Sequence, residues 1–371
     1  MPQEFPEPKT NDWIGLDVGG ANIKIADVHG NCQSISFPMW TDYRKLSETL
    51  SQLLDEFARD ANPNIAATMT GELADCFASK QEGVKFICNA LAIASKNRCS
   101  VYQVSGKFVS TEQAANNWKP TAASNWHALT NFVAEQTNCG IVFDIGSTTT
   151  DIIPFAGGVC ATESVTDLDR LSAGELVYTG VVRSPVCSLV NQFECSEGKR
   201  SKGAKFQIAQ ELFATALDAY LVLAKIPESE SVRFTADGRP ATIECARQRL
   251  ARCLCADVSE LHASDIKNLA SSVADAQFEI IADSFRRVYK RLENSTQQRP
   301  TIVISGEGSW LAYEIARKLA GDLPTIELCE LIGKTHPTSS TDLNTSATAY
   351  AVACLAAKQQ TSKMEFSNAS R

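Results

Sequence analysis

Two stretches of the sequence end an apolar run in Asp and place Gly two residues later. They are Asp17-Val-Gly19-Gly20-Ala-Asn22-Ile-Lys24 and Asp144-Ile-Gly146-Ser147-Thr148-Thr149-Thr-Asp151. A strand that ends this way sets a carboxylate beside backbone amides that an anion approaches closely, because Gly has no Cβ in the way. The hydroxyls of Ser147, Thr148 and Thr149 add neutral donors, and Lys24 supplies a point charge for a phosphate. Asp17 and Asp144 are the candidates to hold Mg²⁺, directly or through water. A third turn, Ser305-Gly306-Glu307-Gly308-Ser309, opens a helical pattern whose N-terminus also favours an anion. One Asp-x-Gly turn carries little weight, since hairpins use both residues for geometry alone. Three such turns in chain order point to a site that grips a phosphate or diphosphate. The rival phosphate and nucleophile signatures GxxxxGK[ST], GxGxxG after a first strand, and GxSxG do not occur.

The elements that must position these turns follow from hydrophobic spacing. WIGLDVGG and ANIKIADVHG alternate around a Gly-Gly turn and predict a strand, a tight turn and a second strand. CGIVFDIGSTTTDIIPFAGG repeats the arrangement, which predicts two related half-domains. Helical periodicity covers 43–60, about 83–95 and 124–137, around short strands at NIAATMT and SVYQVSGKFVS. From 206 to 292 three long helical patterns replace the α/β alternation. The alternation returns at TIVISGEGSWLAYEIARKLA, and a last helix is expected over about 344–357.

Length and composition agree with this division. A chain of 371 residues exceeds one ordinary core of about 150 residues, so two lobes are expected. The expected boundaries are a loose leader at 1–11, an N-terminal α/β lobe at 12–137 and the start of a second lobe at 138–205. A helical insert at 206–298, the end of the second lobe at 299–358 and a tail at 359–371 complete them. The net charge of −8 and the lack of basic runs argue against a nucleic-acid partner. No segment reaches the roughly 18 apolar residues that span a bilayer, and the acidic, Pro-rich opening is no secretory signal, so a cytoplasmic location is expected. Thirteen cysteines, an odd number spread from Cys32 to Cys354, do not form a disulfide framework, and Cys253 and Cys255 lack a second metal-spaced pair.

WIGLDVGGANIKIADV resembles the first phosphate loop of the superfamily of acetate and sugar kinases, Hsp70 and actin. IVFDIGSTTTDIIP resembles its second phosphate loop and IVISGEGSW its adenosine loop. The pair of hairpins is similar to the hydantoinase/oxoprolinase group in particular. MTGELADCFASKQEGVKFI, SAGELVYTGVVRSPVC, LFATALDAYLVLAKIPE and TADGRPATIECARQRLARCLCAD resemble a small family tied to tetrahydromethanopterin-linked one-carbon transfer, whose archaeal members are methanofuran-biosynthesis synthases. The resemblance runs from about 12 to about 357. It implies a bilobal, actin-like (ribonuclease H-like) α/β fold with duplicated β-hairpin half-domains. It also implies a transferase joining an aminomethylfuran-methyl diphosphate to the phenol oxygen of a glutamyl-tyramine or tyrosine acceptor, with release of diphosphate. Asp17, Asp144 and Asp151 are then the carboxylates placed to take the phenol proton or stabilise the furan-methyl cation.

The loops depart from the kinase pattern at Gly20-Ala21-Asn22, where hydroxyls are usual, and at Glu307, an anion where a nucleotide phosphate would lie. Both departures argue against ATP, although the loops leave an ATP-dependent kinase or ligase, or a non-catalytic nucleotide-binding protein, as alternatives. Glu72, Tyr178 and Arg183 stand in the more specific motifs as candidates to touch substrate. Glu72 also suits a structural role at a helix N-terminus, and Arg183 a solvated one. Lys80 and Lys85 are candidates to touch a diphosphate, with a surface role the favoured reading for either.

Overall fold

A computed structural model of the chain describes residues 13–58, 63–195, 203–333 and 342–369. The expected leader at 1–11 lies outside them. In the first lobe, the strands are β1 (Trp13–Val18), β2 (Asn22–Asp27), β3 (Cys32–Ser36), β4 (Asn64–Met69), β5 (Cys99–Tyr102) and β6 (Phe108–Ser110). They form one sheet in the order β3-β2-β1-β4-β5-β6. β1 is buried along its whole length, as an apolar strand covered on both faces should be. On one face the helices Leu46–Phe57 and Lys80–Ala94 pack Leu50, Leu54, Ile87 and Leu91 against Ile14, Leu16 and Val18. On the other face Ala128, Val352 and Ala353 meet Trp13 and Ala66.

The second lobe begins with β7 (Cys139–Ile145), β8 (Thr150–Ala156), β9 (Val159–Cys160) and β10 (Leu176–Val177). A separate hairpin of β11 (Gln192–Glu194) and β12 (Lys205–Gln207) follows, and β13 (Thr301–Ser305) and β14 (Thr325–Glu327) complete the set. The sheet order is β10-β8-β7-β13-β14, with β9 added to β8.

The two lobes repeat one plan. β1 runs antiparallel to β2 and parallel to β4, and β7 runs antiparallel to β8 and parallel to β13. In register, Asp17 lies opposite Lys24 and Thr68, and Asp144 lies opposite Asp151 and Ser305. Each turn closes on the same bond: Gly19 N–H donates to the Asn22 carbonyl at 3.0 Å, and Gly146 N–H to that of Thr149 at 2.9 Å. These duplicated hairpin half-domains give the chain a bilobal, actin-like α/β fold.

Several segments differ from the periodicity reading. Residues 206–222 do not form one helix: β12 occupies 205–207, and a helix begins only at Ala216, where Thr215 and Asp218 cap it reciprocally. Phe206 and Ile208 flank Gln207 with a period of two, a strand signal inside an apolar stretch. The helix Ile243–Arg252 stops short of the cysteine pair, so Cys253 is buried while Cys255 is exposed at φ 52°. The helix Ala263–Ser295 is no appendage, because its Ile281, Phe285, Val288 and Leu292 join the core with Ile141, Phe143 and Ile302. The last helix, Ala347–Ala369, runs beyond the expected 357 and packs on β1, β2 and β4, returning the chain to the first lobe. All thirteen cysteines are free thiols. Among the described residues, no helix is long and apolar enough to cross a membrane.

Candidate functional site

The turns after β1 and β7 meet at a cavity of about 240 Å³. The first hairpin contributes Asp17, Gly19, Gly20, Asn22 and Lys24, and the second Asp144, Gly146, Ser147, Thr148, Thr149 and Asp151. Glu72, Tyr178 and Arg183 also line it, so the structure brings these scattered residues together. Gly306 and Gly308 do not line it. They lie behind the second hairpin: Gly308 N–H donates to the Ile145 carbonyl at 2.8 Å. A Cβ on Gly306 would stand 2.4 Å from Asp144 Oδ1, and one on Gly308 would stand 2.5 Å from Ile145 Cγ2. Their glycine character serves close packing, which is the same sequence signal that an anion loop produces.

Strand register sets the electrostatics. Burial raises the Asp17 carboxyl above the ordinary range; Lys24 opposes the shift and Asp151 adds to it. Burial likewise raises Asp144, against Lys24 and the hydrogen bond from Ser305, while Asp17 and Glu307 add to the rise. Ser305 Oγ donates to Asp144 Oδ1 at 2.9 Å, and Asp17 Oδ1 is buried with no hydrogen-bond partner. Asp151 is pushed up to about 6 by burial, opposed by Arg170 and reinforced by Asp144. Burial is the main cause of all three rises and the neighbouring carboxylates add to it, so positive charge placed among them would favour their ionised forms.

Among the described residues, no three His, Cys, Asp or Glu side chains converge as a metal-ligating group. Mg²⁺ does not require one, because it is commonly held by one or two carboxylates together with substrate phosphates and water. The unpartnered Asp17 oxygen and the coupled Asp144 fit an ion that arrives with a phosphate.

Several residues here had no signal in the sequence. Arg170, on the helix Asp167–Ala173, is only 2% exposed. It forms an ion pair with Asp151, donates through Nη1 to Asp167 at 3.2 Å, and stacks 4.4 Å from the Trp126 ring. Asp167 in turn meets Lys80 of the first lobe at 2.5 Å, so Lys80 is a bridge between lobes and not a free surface charge. Trp40 is brought to the cavity because the amides of Phe37 and Met39 bond back to the Ala21 and Gly20 carbonyls. The Arg183 guanidinium lies 4.3 Å over the Trp40 ring, a second link across the cleft. The amides of Val181, Val182 and Arg183 bond the Gly146 and Ser147 carbonyls, which fixes the second turn. Apart from Arg170 with Asp167, three residues apart on one helix, spacing could not foretell these pairings, since the partners lie on different elements.

Glu72 stands on the 3-10 turn Gly71–Leu73 after β4, not at an α-helix N-terminus as its motif allowed. It is buried, its Oε2 has no hydrogen-bond partner, and it lines the cavity. Burial pushes its carboxyl up to about 7, against backbone hydrogen bonds and the Lys80 charge. Tyr178 is 60% exposed at the mouth.

Fold and cleft together define the class: a two-lobed, actin-like α/β protein whose paired hairpin turns wall one acidic, phosphate-sized cavity. Residues 64–326 match the hydantoinase/oxoprolinase family. Over 93% of this chain and 98% of the relative, the sequence is 34% identical to (4-{4-[2-(gamma-L-glutamylamino)ethyl]phenoxymethyl}furan-2-yl)methanamine synthase of Methanocaldococcus jannaschii. The synthase of the same name from Methanococcus vannielii is 32% identical over 53% of this chain and 84% of its own length. Among solved structures, ethanolamine utilization protein EutJ of Carboxydothermus hydrogenoformans aligns over 94% of this chain and 90% of its own, at 16% identity and a TM-score of 0.43. The chain belongs to the hydantoinase/oxoprolinase family and, within it, to the family of these furan-methanamine synthases.

Proposed function

We propose that this protein is a small-molecule enzyme of methanofuran-type cofactor synthesis. It joins an aminomethylfuran-methyl diphosphate to the phenol oxygen of a glutamyl-tyramine or tyrosine acceptor and releases diphosphate. The observation that carries the reading is the convergence of both hairpin turns, Lys24 and the unpartnered Asp17 on one cavity, in a chain with synthase relatives.

The turns Gly19–Asn22 and Gly146–Thr149 cradle the diphosphate with backbone amides and the hydroxyls of Ser147, Thr148 and Thr149. Lys24, opposite Asp17 in the first hairpin, supplies the direct positive charge. Asp17 and Asp144 would hold Mg²⁺, and the bound ion would supply positive charge beside a diphosphate leaving group. Arg170 pairs with the buried Asp151 and fixes that carboxylate in the wall of the cavity where the furan-methyl carbon becomes positive. Arg183, held flat on Trp40, braces the two lobes over the substrate. No ATP is consumed, because the donor carries its own leaving group.

Calorimetric titration with inorganic diphosphate and with ATP, each with Mg²⁺, tests the reading. Diphosphate is expected to bind with no response to ATP. Tight ATP binding without diphosphate binding would transfer the site to a kinase or ligase.

A further inference from the structure

We infer that Glu72 is the base that takes the phenol proton as the ether forms, an assignment that rests on the synthase reading above. Glu72 is 1% exposed, yet its Oε2 faces no protein partner and the residue lines the cavity. Asp75 at the same cavity is exposed, and three other carboxylates are engaged: Asp151 with Arg170, Asp167 with Lys80 and Arg170, Asp144 with Ser305. Asp17 also has a free oxygen, but it sits in the hairpin opposite Lys24, on the side that grips the leaving group. Glu72 comes from a separate element.

The backbone around Glu72 is held tightly. The helix Lys80–Ala94 approaches so closely at Gly83 that a Cβ there would stand 2.3 Å from the Glu72 carbonyl oxygen and 2.7 Å from its Cα. A base needs such fixed placement, and a surface carboxylate does not. Leu73, 50% exposed, and Tyr178 add apolar surface at the same cavity against which flat furan and phenol rings can lie. The charged groups facing Glu72 are Lys80 on its own lobe and Asp167 on the other. Burial outweighs both, leaving the carboxyl near 7, the range in which a general base at neutral pH works best.

The step balances. The bond from the furan-methyl carbon to the diphosphate oxygen breaks, and its electron pair leaves with diphosphate. The phenol oxygen forms the new bond to that carbon, and its proton passes to the Glu72 carboxylate.

The experiment compares the full-length wild type with Glu72→Gln and Glu72→Asp, using the furan-methyl diphosphate and glutamyl-tyramine or tyrosine as acceptor. Glu72→Gln should lower ether formation about 10²–10⁴-fold, with thermal melting and Mg²⁺-diphosphate affinity unchanged within about twofold of wild type. A polyfluorinated phenol, already ionised at neutral pH, should restore most of the loss. The wild-type kcat/KM should rise through a pH near 7, whereas Glu72→Gln should rise only toward the phenol's own pKa of about 10. Glu72→Asp should retain part of the rate. Near-wild-type turnover by Glu72→Gln, or no rescue by the fluorinated phenol, overturns the assignment while leaving the synthase reading standing. A wild type that makes no ether from any phenol overturns the synthase reading and the role of Glu72 with it.

Discussion

The two hairpins share strand order, register and turn hydrogen bond, but the residue paired with the strand-end aspartate differs in charge. Opposite Asp17 stands Lys24, and opposite Asp144 stands Asp151. The first hairpin therefore carries its counter-charge on the adjacent strand, in the cavity wall. The second must borrow its counter-charge from Arg170, which arrives on a helix, is buried, and is held by Trp126 and Asp167. A duplicated backbone thus supports two chemistries. One turn keeps a free cation for an anionic ligand, and the other keeps a neutralised carboxylate beside it.

The largest expected effect comes from breaking the borrowed charge. Arg170→Met leaves the buried Asp151 without its partner while Asp167 keeps Lys80, and should destabilise the fold by about 3–5 kcal/mol in urea denaturation. The added substitution Asp151→Asn should return much of that loss. A loss below about 1 kcal/mol from Arg170→Met alone would mean that the two hairpins do not differ in the way described.

Removing the free cation should act on binding and spare the fold. Lys24→Ala should weaken Mg²⁺-diphosphate affinity by about 1.5–3 kcal/mol, the range for a hydrogen bond to a charged group. Its melting temperature should stay close to wild type. Calorimetry that finds the affinity unchanged in both Lys24→Ala and Asp144→Ala would break the cradle itself.

The smallest effect sharpens the contrast in how the turns are seated. At Gly180 a Cβ would meet the backbone of the second turn, 2.4 Å from the Gly146 oxygen and 2.5 Å from the Thr148 nitrogen. Gly180→Ala should therefore cost about 1–3 kcal/mol and lower diphosphate affinity along with stability. A variant that melts like wild type and binds diphosphate as tightly would show that the turn yields without consequence.

Much of this arrangement was legible in the residues. Asp17-x-Gly19 and Asp144-x-Gly146 are short-range signals, since an apolar strand, a carboxylate and a glycine turn are set by neighbours along the chain. Their repetition announced two half-domains. Residues 206–222 misled because a period of two and a period of 3.6 both fit short apolar stretches, and the contact between β11 and β12 decided between them. Gly306 and Gly308 misled for a related reason: a glycine needed for close packing and a glycine needed by a ligand leave the same letter in the sequence.

By itself, then, the sequence determined the two hairpins, their order and the chemistry their turns can offer, because those depend on local pattern. Only the tertiary structure decided which charges pair. Arg170 reaches Asp151 across a gap of nineteen positions, Lys80 meets Asp167 from the opposite lobe, and Arg183 lies on Trp40. It also decided that Glu72, in a short turn, loses its water, lines the cavity and keeps a buried oxygen without a hydrogen-bond partner. Burial and long-range pairing are properties of the packed chain, and no spacing along the sequence encodes the environment that shifts a carboxyl from 4.5 to about 7.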